Sequence, residues 1–193
     1  MRRVLNVGGN DRNIPLPRHF EGWEQVLLDI DSRGEPDVLC DAREMAKLPG
    51  AQYDAVYCSH NLEHYHRHDV PKVLAGFLHV LKAGGFAHLR VPDLGEVMRT
   101  VVEKAMDIDD VLYQSAAGPI AVRDVLYGYG TEIERSGNDF FAHKTGFTGK
   151  SLTAMLARCG FPHVYLGKGS FEIVALAFRD PPEEFARALL KLP

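Results

Sequence analysis

The sequence predicts an α/β protein: a mostly parallel seven-stranded sheet with an antiparallel last strand and helices on both faces. Three observations predict it. Short, mainly apolar runs without clean alternation recur along the chain, as expected of strands covered on both faces. Stretches with apolar residues at three- and four-residue steps lie between and after them. The chain then closes on two such runs joined through glycines, a hairpin pattern that requires antiparallel pairing.

The elements follow in order. Arg3–Val7 is a short strand that runs into Gly8-Gly9, and Pro15 and Pro17 exclude a long helix directly after it. Gln25–Ile30 and Asp37–Cys40 are the second and third strands, both ending among acids. Tyr53–Cys58 is the fourth. Val70, Val73, Leu74, Phe77, Leu78 and Leu81 paint one helical face, with Asp69 as its cap, Pro71 in its first turn and Gly84-Gly85 as its stop. Phe86–Val91 is the fifth strand. Asp93 and Glu96 resemble a capping box ahead of an apolar face of Leu94, Val97, Met98 and Val101. Residues 107–147 are less regular, with a short helical segment near Val122–Leu126, and read as an insertion or lid within a single domain spanning 1–193. Thr148 caps a helix bearing Leu152, Met155, Leu156 and Cys159, and Gly160 stops it. His163–Leu166 and Phe171–Phe178 are the last strands, turning through Gly167-Lys168-Gly169. Pro181-Pro182 opens a final helix whose Phe185, Leu189 and Leu192 either pack on the sheet or form a homodimer seam.

Composition narrows the function classes. The 193 residues carry 22 basic and 26 acidic side chains, a net charge of −4. This disfavours a nucleic-acid partner. No apolar run approaches the ~18 residues that span a bilayer, and the apolar start is too short for a signal peptide. Cys40, Cys58 and Cys159 are odd in number and scattered, so they read as free thiols in a reducing cytoplasm.

In an open parallel sheet, ligands bind beyond the carboxyl ends of the strands. The unusual polar groups collect there: Gly8-Gly9-Asn10 after the first strand, Asp29 and Asp31 after the second, Asp41 after the third, Ser59-His60-Asn61 after the fourth. Strand ends attract glycine and acids for purely structural reasons. A series of glycine, acid and acid at one edge fits a nucleoside instead. Glycine lets the backbone approach the ligand, and an acid about 20 residues on accepts from ribose hydroxyls. Asp41 can accept from an adenine amine, with Ile30 and Met45 sandwiching the base.

These residues resemble the class I S-adenosylmethionine-dependent methyltransferases, a Rossmann-like family. Val4-Leu5-Asn6-Val7-Gly8-Gly9-Asn10 is similar to the family's glycine motif, Leu28-Asp29-Ile30-Asp31 to its second-strand acids, and Cys40-Asp41-Ala42 to its adenine turn. Tyr53–Val56 through Leu62-Glu63-His64 is similar to its fourth-strand motif, and Val80-Leu81-Lys82-Ala83-Gly84-Gly85 to the turn before its fifth strand. Asn6 stands where the family often has an acid, and Asn10 where it has a small residue. The resemblance implies S-adenosylmethionine as cofactor, held by Asn6, Val7, Gly8, Gly9, Asn10, Asp29, Ile30, Asp31, Asp41, Ala42, Ser59 and His60. It implies methyl transfer by in-line displacement to a small-molecule or saccharide acceptor. A general base is optional in such chemistry. The candidates are His60, His64 and His143, because imidazole titrates near neutrality. Arg123, Asp124, Tyr127, Tyr129 and Lys144 are further candidates for acceptor contacts.

Rival readings use the same residues. His60-Asn61-Leu62-Glu63-His64 matches the H-x-x-E-H zinc-peptidase pattern, but it follows a strand directly, so the expectation is no metal. A nicotinamide dehydrogenase needs a third glycine opening a helix, and here a proline loop follows. Gly149-Lys150-Ser151 resembles a phosphate loop without its first glycine. A catalytically silent module that binds S-adenosylmethionine or S-adenosylhomocysteine is the alternative from outside enzymology.

Overall fold

A computed structural model describes residues 1–9, 11–115 and 118–193. Seven strands form one sheet: β1 (Arg3–Val7), β2 (Glu24–Asp29), β3 (Val38–Leu39), β4 (Tyr53–Ser59), β5 (Leu81–Pro92), β8 (His163–Gly169) and β9 (Glu172–Phe178). Their spatial order is β3-β2-β1-β4-β5-β9-β8. The pairs from β3 through β5 are parallel, while β9 runs antiparallel to both β5 and β8. The antiparallel last strand of the sequence reading is therefore present, lying inside the sheet and not at its rim. Strand order reverses at β1 and β4, so their carboxyl ends open a crevice.

Alternation along β1 divides the core. Leu5 and Val7 face one side, with α1 (Val70–Val80) and α5 (Gly149–Arg158), while Val4 faces the other. On the first side Val73, Leu74, Phe77, Leu152 and Leu156 are fully buried. That is the apolar stripe the three- and four-residue spacing predicts. Thr148 and Ser151 cap α5 reciprocally. The second side is thinner. It is covered by a 3-10 turn (Arg18–Phe20), Trp23 and α6 (Glu184–Leu190), whose Ala186 is buried and whose Leu189 packs on the same cluster. The last helix thus packs on the sheet, and its Phe185 ring lies beneath the Arg2 guanidinium.

Between β5 and α5 the chain forms α2 (Leu94–Glu103), a hairpin of β6 (Val111–Ser115) and β7 (Gly118–Ala121), α3 (Val122–Tyr127) and α4 (Gly130–Ser136). Val97, Leu112, Val122 and Val125 give this segment a small core of its own. Among the described residues no helix is long and apolar enough to cross a membrane.

Four local expectations are corrected. Gly84-Gly85 does not stop α1, which ends at Val80, with β5 beginning at Leu81. The glycines sit in a bulge, where the register steps between Tyr53↔Leu81 and Ala55↔Phe86. The third strand is two residues long, because the Asp37 carboxylate takes the Leu27 N–H at 2.8 Å. Met98 is 55% exposed and leaves the α2 face to Leu94, Val97 and Val101. Gly167-Lys168-Gly169 belongs to β8, and the turn falls at Ser170-Phe171, with Phe171 at φ +56°.

His88 on β5 is the conspicuous polar group of the second core side. It is 4% exposed, its Nδ1 lies 3.2 Å from His19 Nε2, and its Nε2 has no partner among the described residues. Burial, then the neighbouring His19 and Arg90 charges, pull its pKa down to about 3. An unfolded histidine titrates near 6.5. Between these values the unfolded chain takes up a proton that the folded chain refuses, so stability falls as pH falls. His88→Leu is expected to reduce the stability lost between pH 7 and 5 by about 2 kcal/mol, measured by urea unfolding at both pH values. An unchanged difference would contradict this placement.

Candidate active site

The crevice at the strand ends is a cavity of about 380 Å³, lined among others by Gly8, Asp29, Ile30, Asp31, Asp41 and His60. Its shape begins at Gly8, which has φ +72° and donates its N–H to Leu28 O at 2.8 Å. A Cβ there would fall 2.1 Å from Asn61 Nδ2. Position 8 thus needs glycine twice, for its conformation and for the side chain beneath it.

Five carboxylates line the same cavity, three of them at strand ends. Asp29 ends β2 and accepts the Asp31 N–H at 2.9 Å. Asp31 holds Arg33 through both oxygens and caps the turn that follows. Asp41 does the same with Arg43 and caps the 3-10 turn Ala42–Lys47. Arg33 holds the Asp31 carboxyl below its usual range. Burial pushes Asp41 the other way, but Arg43 outweighs it.

Phe140, Phe141 and Lys144 from the segment after α4 close the far wall. That segment is anchored by the Lys144 and Thr145 amides, which both donate to Glu63 O. Arg43, Tyr65 and Phe140-Phe141 escaped the cofactor reading of the sequence. The only signal for them was aromatic and charged composition, because their positions depend on contacts distant in the chain.

Among the remaining residues expected to hold a cofactor, Asn6, Val7, Gly9, Ala42 and Ser59 do not line this cavity. Asn6 is 4% exposed and packs under Gly9, while Val7 and Ala42 are buried. Asn10 lies outside the described residues. Met45 cannot sandwich a base: it is fully buried against Gly76 of α1. Ile30, at 42% exposure, lies at the cavity.

His60 borders a second cavity of about 350 Å³, with Arg90, Tyr113, Tyr129, His143 and Glu172 among its walls. Asp124 lines it too. Arg123 instead pairs with Asp109, and Tyr127 points to solvent. His60 has a left-handed backbone, φ +48°, a strained conformation for a non-glycine residue. Its Nε2 lies 3.2 Å from Glu172 Oε2, and its Nδ1 lies 3.4 Å from Glu63 Oε1. Burial opposes its charge, but the two carboxylates outweigh burial and push it up to about 9. Glu172 is pulled down to about 2 by His60 and by its bidentate Arg90 partner.

The three histidines expected to act as acid or base are brought together, and what gathers them is Glu63. This carboxylate is 1% exposed, and neither of its oxygens has a hydrogen bond among the described residues. Burial pushes it up, while His60, His64 and His143 together hold it below the usual carboxylate range. His143 Nδ1 donates to Val125 O at 2.8 Å, so its Nε2 faces Glu63 Oε1 at 4.0 Å. Burial pushes His143 down despite Glu63.

Residues 21–89 match the model of a family described as a methyltransferase domain. No curated protein matches the chain. Solved structures superpose on most of it. A SAM-dependent methyltransferase from Archaeoglobus fulgidus does so with TM-score 0.56 and 18% identity, over 91% of this chain and 85% of that one. The PH0226 protein from Pyrococcus horikoshii OT3 gives 0.60 and 15%, over 92% and 82%. The 1,6-didemethyltoxoflavin-N1-methyltransferase from Burkholderia thailandensis, solved with 1,6-didemethyltoxoflavin and S-adenosylhomocysteine, gives 0.52 and 17%, over 91% and 69%. The seven-stranded architecture is that of the Rossmann-like methyltransferase fold.

Gly8→Ala is expected to lower unfolding free energy by about 2–4 kcal/mol, from the left-handed backbone and the overlap with Asn61. Adding Asn61→Ala should recover the overlap part, read by chemical denaturation of both variants. No recovery would show that Asn61 does not set the limit at position 8.

Proposed function

We infer that the chain is a class I S-adenosylmethionine-dependent methyltransferase, acting on a small-molecule acceptor held in the second cavity. The observation that carries this reading is the meeting of two cavities at His60, one lined by strand-tip acids and one by aromatic and polar side chains. The first fits the donor chemically. Gly8 takes the left-handed turn that brings its backbone to the cavity wall, and Asp29 ends β2 where an acid accepts from ribose hydroxyls. Asp41 and Ile30 stand where an adenine edge and face would lie. Asp29, Asp31, Asp41, Asp69 and Asp139 outnumber Arg43, Lys144 and the charged His60 along this wall, which favours a ligand of net positive charge.

S-adenosylmethionine supplies a sulfonium methyl whose loss leaves a neutral thioether. The chain's task is then alignment and exclusion of water. Lys144, Phe140 and Phe141 cover the first cavity, so residues 107–147 act as a lid within a single domain. Tyr113 and Tyr129 give the second cavity aromatic walls suited to a flat or sugar-like acceptor, while Arg90 and Glu172 fix polar substituents. The acceptor's proton is the business of the His60–Glu63–His64–His143 cluster at the junction. The unpaired thiols Cys40, Cys58 and Cys159 suit a reducing cytoplasm.

The test is calorimetry with S-adenosylhomocysteine. The wild-type chain should bind it. Asp29→Asn should weaken binding about 10- to 100-fold through loss of charged hydrogen bonds to the ribose. Absence of binding by the wild type, or an unchanged affinity in the variant, would contradict the assignment.

A further inference from the structure

At the junction of the cavities Glu63, His64 and His143 turn acceptor atoms toward one another, and the nearby His60 Nδ1 stands 3.4 Å from Glu63 Oε1, an ion-pair distance without hydrogen-bond geometry. Glu63 presents both carboxylate oxygens, 1% exposed and without a hydrogen bond among the described residues. His143 spends its Nδ1–H on Val125 O at 2.8 Å, which turns the Nε2 lone pair toward Glu63 Oε1 at 4.0 Å. His64 has both ring nitrogens against carbonyl oxygens, Nδ1 at 3.2 Å from Ala142 O and Nε2 at 3.0 Å from His60 O. A neutral imidazole donates from one nitrogen, so the other stands lone pair to lone pair. Donor atoms from Glu63, His64 and His143 all lie within 4.8 Å of one another. One proton could relieve a single contact of this kind, whereas one cation can take an atom from each of the three residues at once.

We propose that Glu63, His64 and His143 bind one divalent transition-metal ion, and that a hydroxyl of the methyl acceptor completes its coordination. Two imidazoles and one carboxylate form a donor set suited to Zn²⁺, Co²⁺ or Fe²⁺, with a position left open. Bonds of about 2.0–2.2 Å put tetrahedral donors roughly 3.4 Å apart, a small contraction from the present spacing. The Nδ1–H of His143 on a backbone carbonyl is the outer hydrogen bond that orients a ligating imidazole. His60 is not part of this set. It lies between Glu63 and Glu172 and borders both cavities.

The second half of the proposal rests on the methyltransferase reading and gives it an acceptor atom. The second cavity reaches His143, so an acceptor hydroxyl there can meet the ion. Coordination lowers the hydroxyl pKa, and its proton leaves to solvent. The oxygen lone pair then forms the O–CH₃ bond as the S–CH₃ bond breaks, and that bonding pair stays on sulfur. The acceptor class is a hydroxylated small molecule, and the product is a methyl ether.

The experiment titrates Co²⁺ into the EDTA-stripped full chain and follows its visible d–d absorption. The expected result is saturation at one Co²⁺ per chain below millimolar metal, reversed by Zn²⁺. Glu63→Gln and His143→Gln should each weaken Co²⁺ binding by at least about 100-fold. Neither residue lines the first cavity, so both variants should keep the wild-type affinity for S-adenosylhomocysteine, which also confirms that they fold. Failure of the wild type to saturate, or binding that survives both substitutions, overturns the metal site. Co²⁺ binding as expected without any S-adenosylhomocysteine binding upholds the metal site and removes the acceptor assignment.

Discussion

The contact between Gly8 and Asn61 governs how the tips of β1 and β4 meet. These neighbouring parallel strands run in register from Val4↔Ala55 to Val7↔Cys58, and just past their ends one chain must turn over the other. It does so because position 8 has no side chain and a left-handed backbone. Once β1 turns there, the Asp29 end of β2 lies beside it and His60 beyond β4 borders the same space. The acids, the glycine and the histidine are distant in sequence and are assembled by parallel pairing alone.

A second constraint sits directly below. Glu63 is buried in the 3-10 turn Leu62–His64, and its backbone carbonyl anchors the segment that carries Lys144. Its side chain is the centre on which three imidazoles converge. One residue thus ties the covering segment to the sheet and sets the electrostatics of the junction. Among the described residues this buried carboxylate has ion-pair neighbours but no hydrogen bond, a costly arrangement that makes the junction a candidate functional site.

Legibility in the sequence followed the range of the interactions. Helix faces such as Val73–Leu74–Phe77 and Leu152–Met155–Leu156 were readable because a local period records them. So were the strand-tip acids and Gly8, whose residue types answer to strand ends and turns. Errors arose where a local cue had a second use. Gly84-Gly85 reads as a helix stop but serves a bulge. Asp37 reads as part of a strand, yet its side chain replaces the ladder bond to Leu27. Gly167-Lys168-Gly169 reads as a turn but lies within β8, displaced by the register of β9 on β5. The candidate site was legible in its pieces and not in their union. Nothing local places His143 beside Glu63, 80 positions earlier, or turns Phe140 and Phe141 toward Asp31. Arg33 and Arg43 were likewise hidden, since pairing two residues after an acid depends on the turn each acid caps.

The central claim is that the tips of β1, β2 and β4 and the turn after β3 cradle an adenosine. The most direct measurement is a crystal structure of the full chain with S-adenosylhomocysteine. The account predicts density in the 380 Å³ cavity, with the ribose hydroxyls on Asp29, the adenine beside Ile30 and Asp41, and the sulfur directed toward His60. Density elsewhere on the molecule, or an empty crevice at saturating ligand, would contradict it.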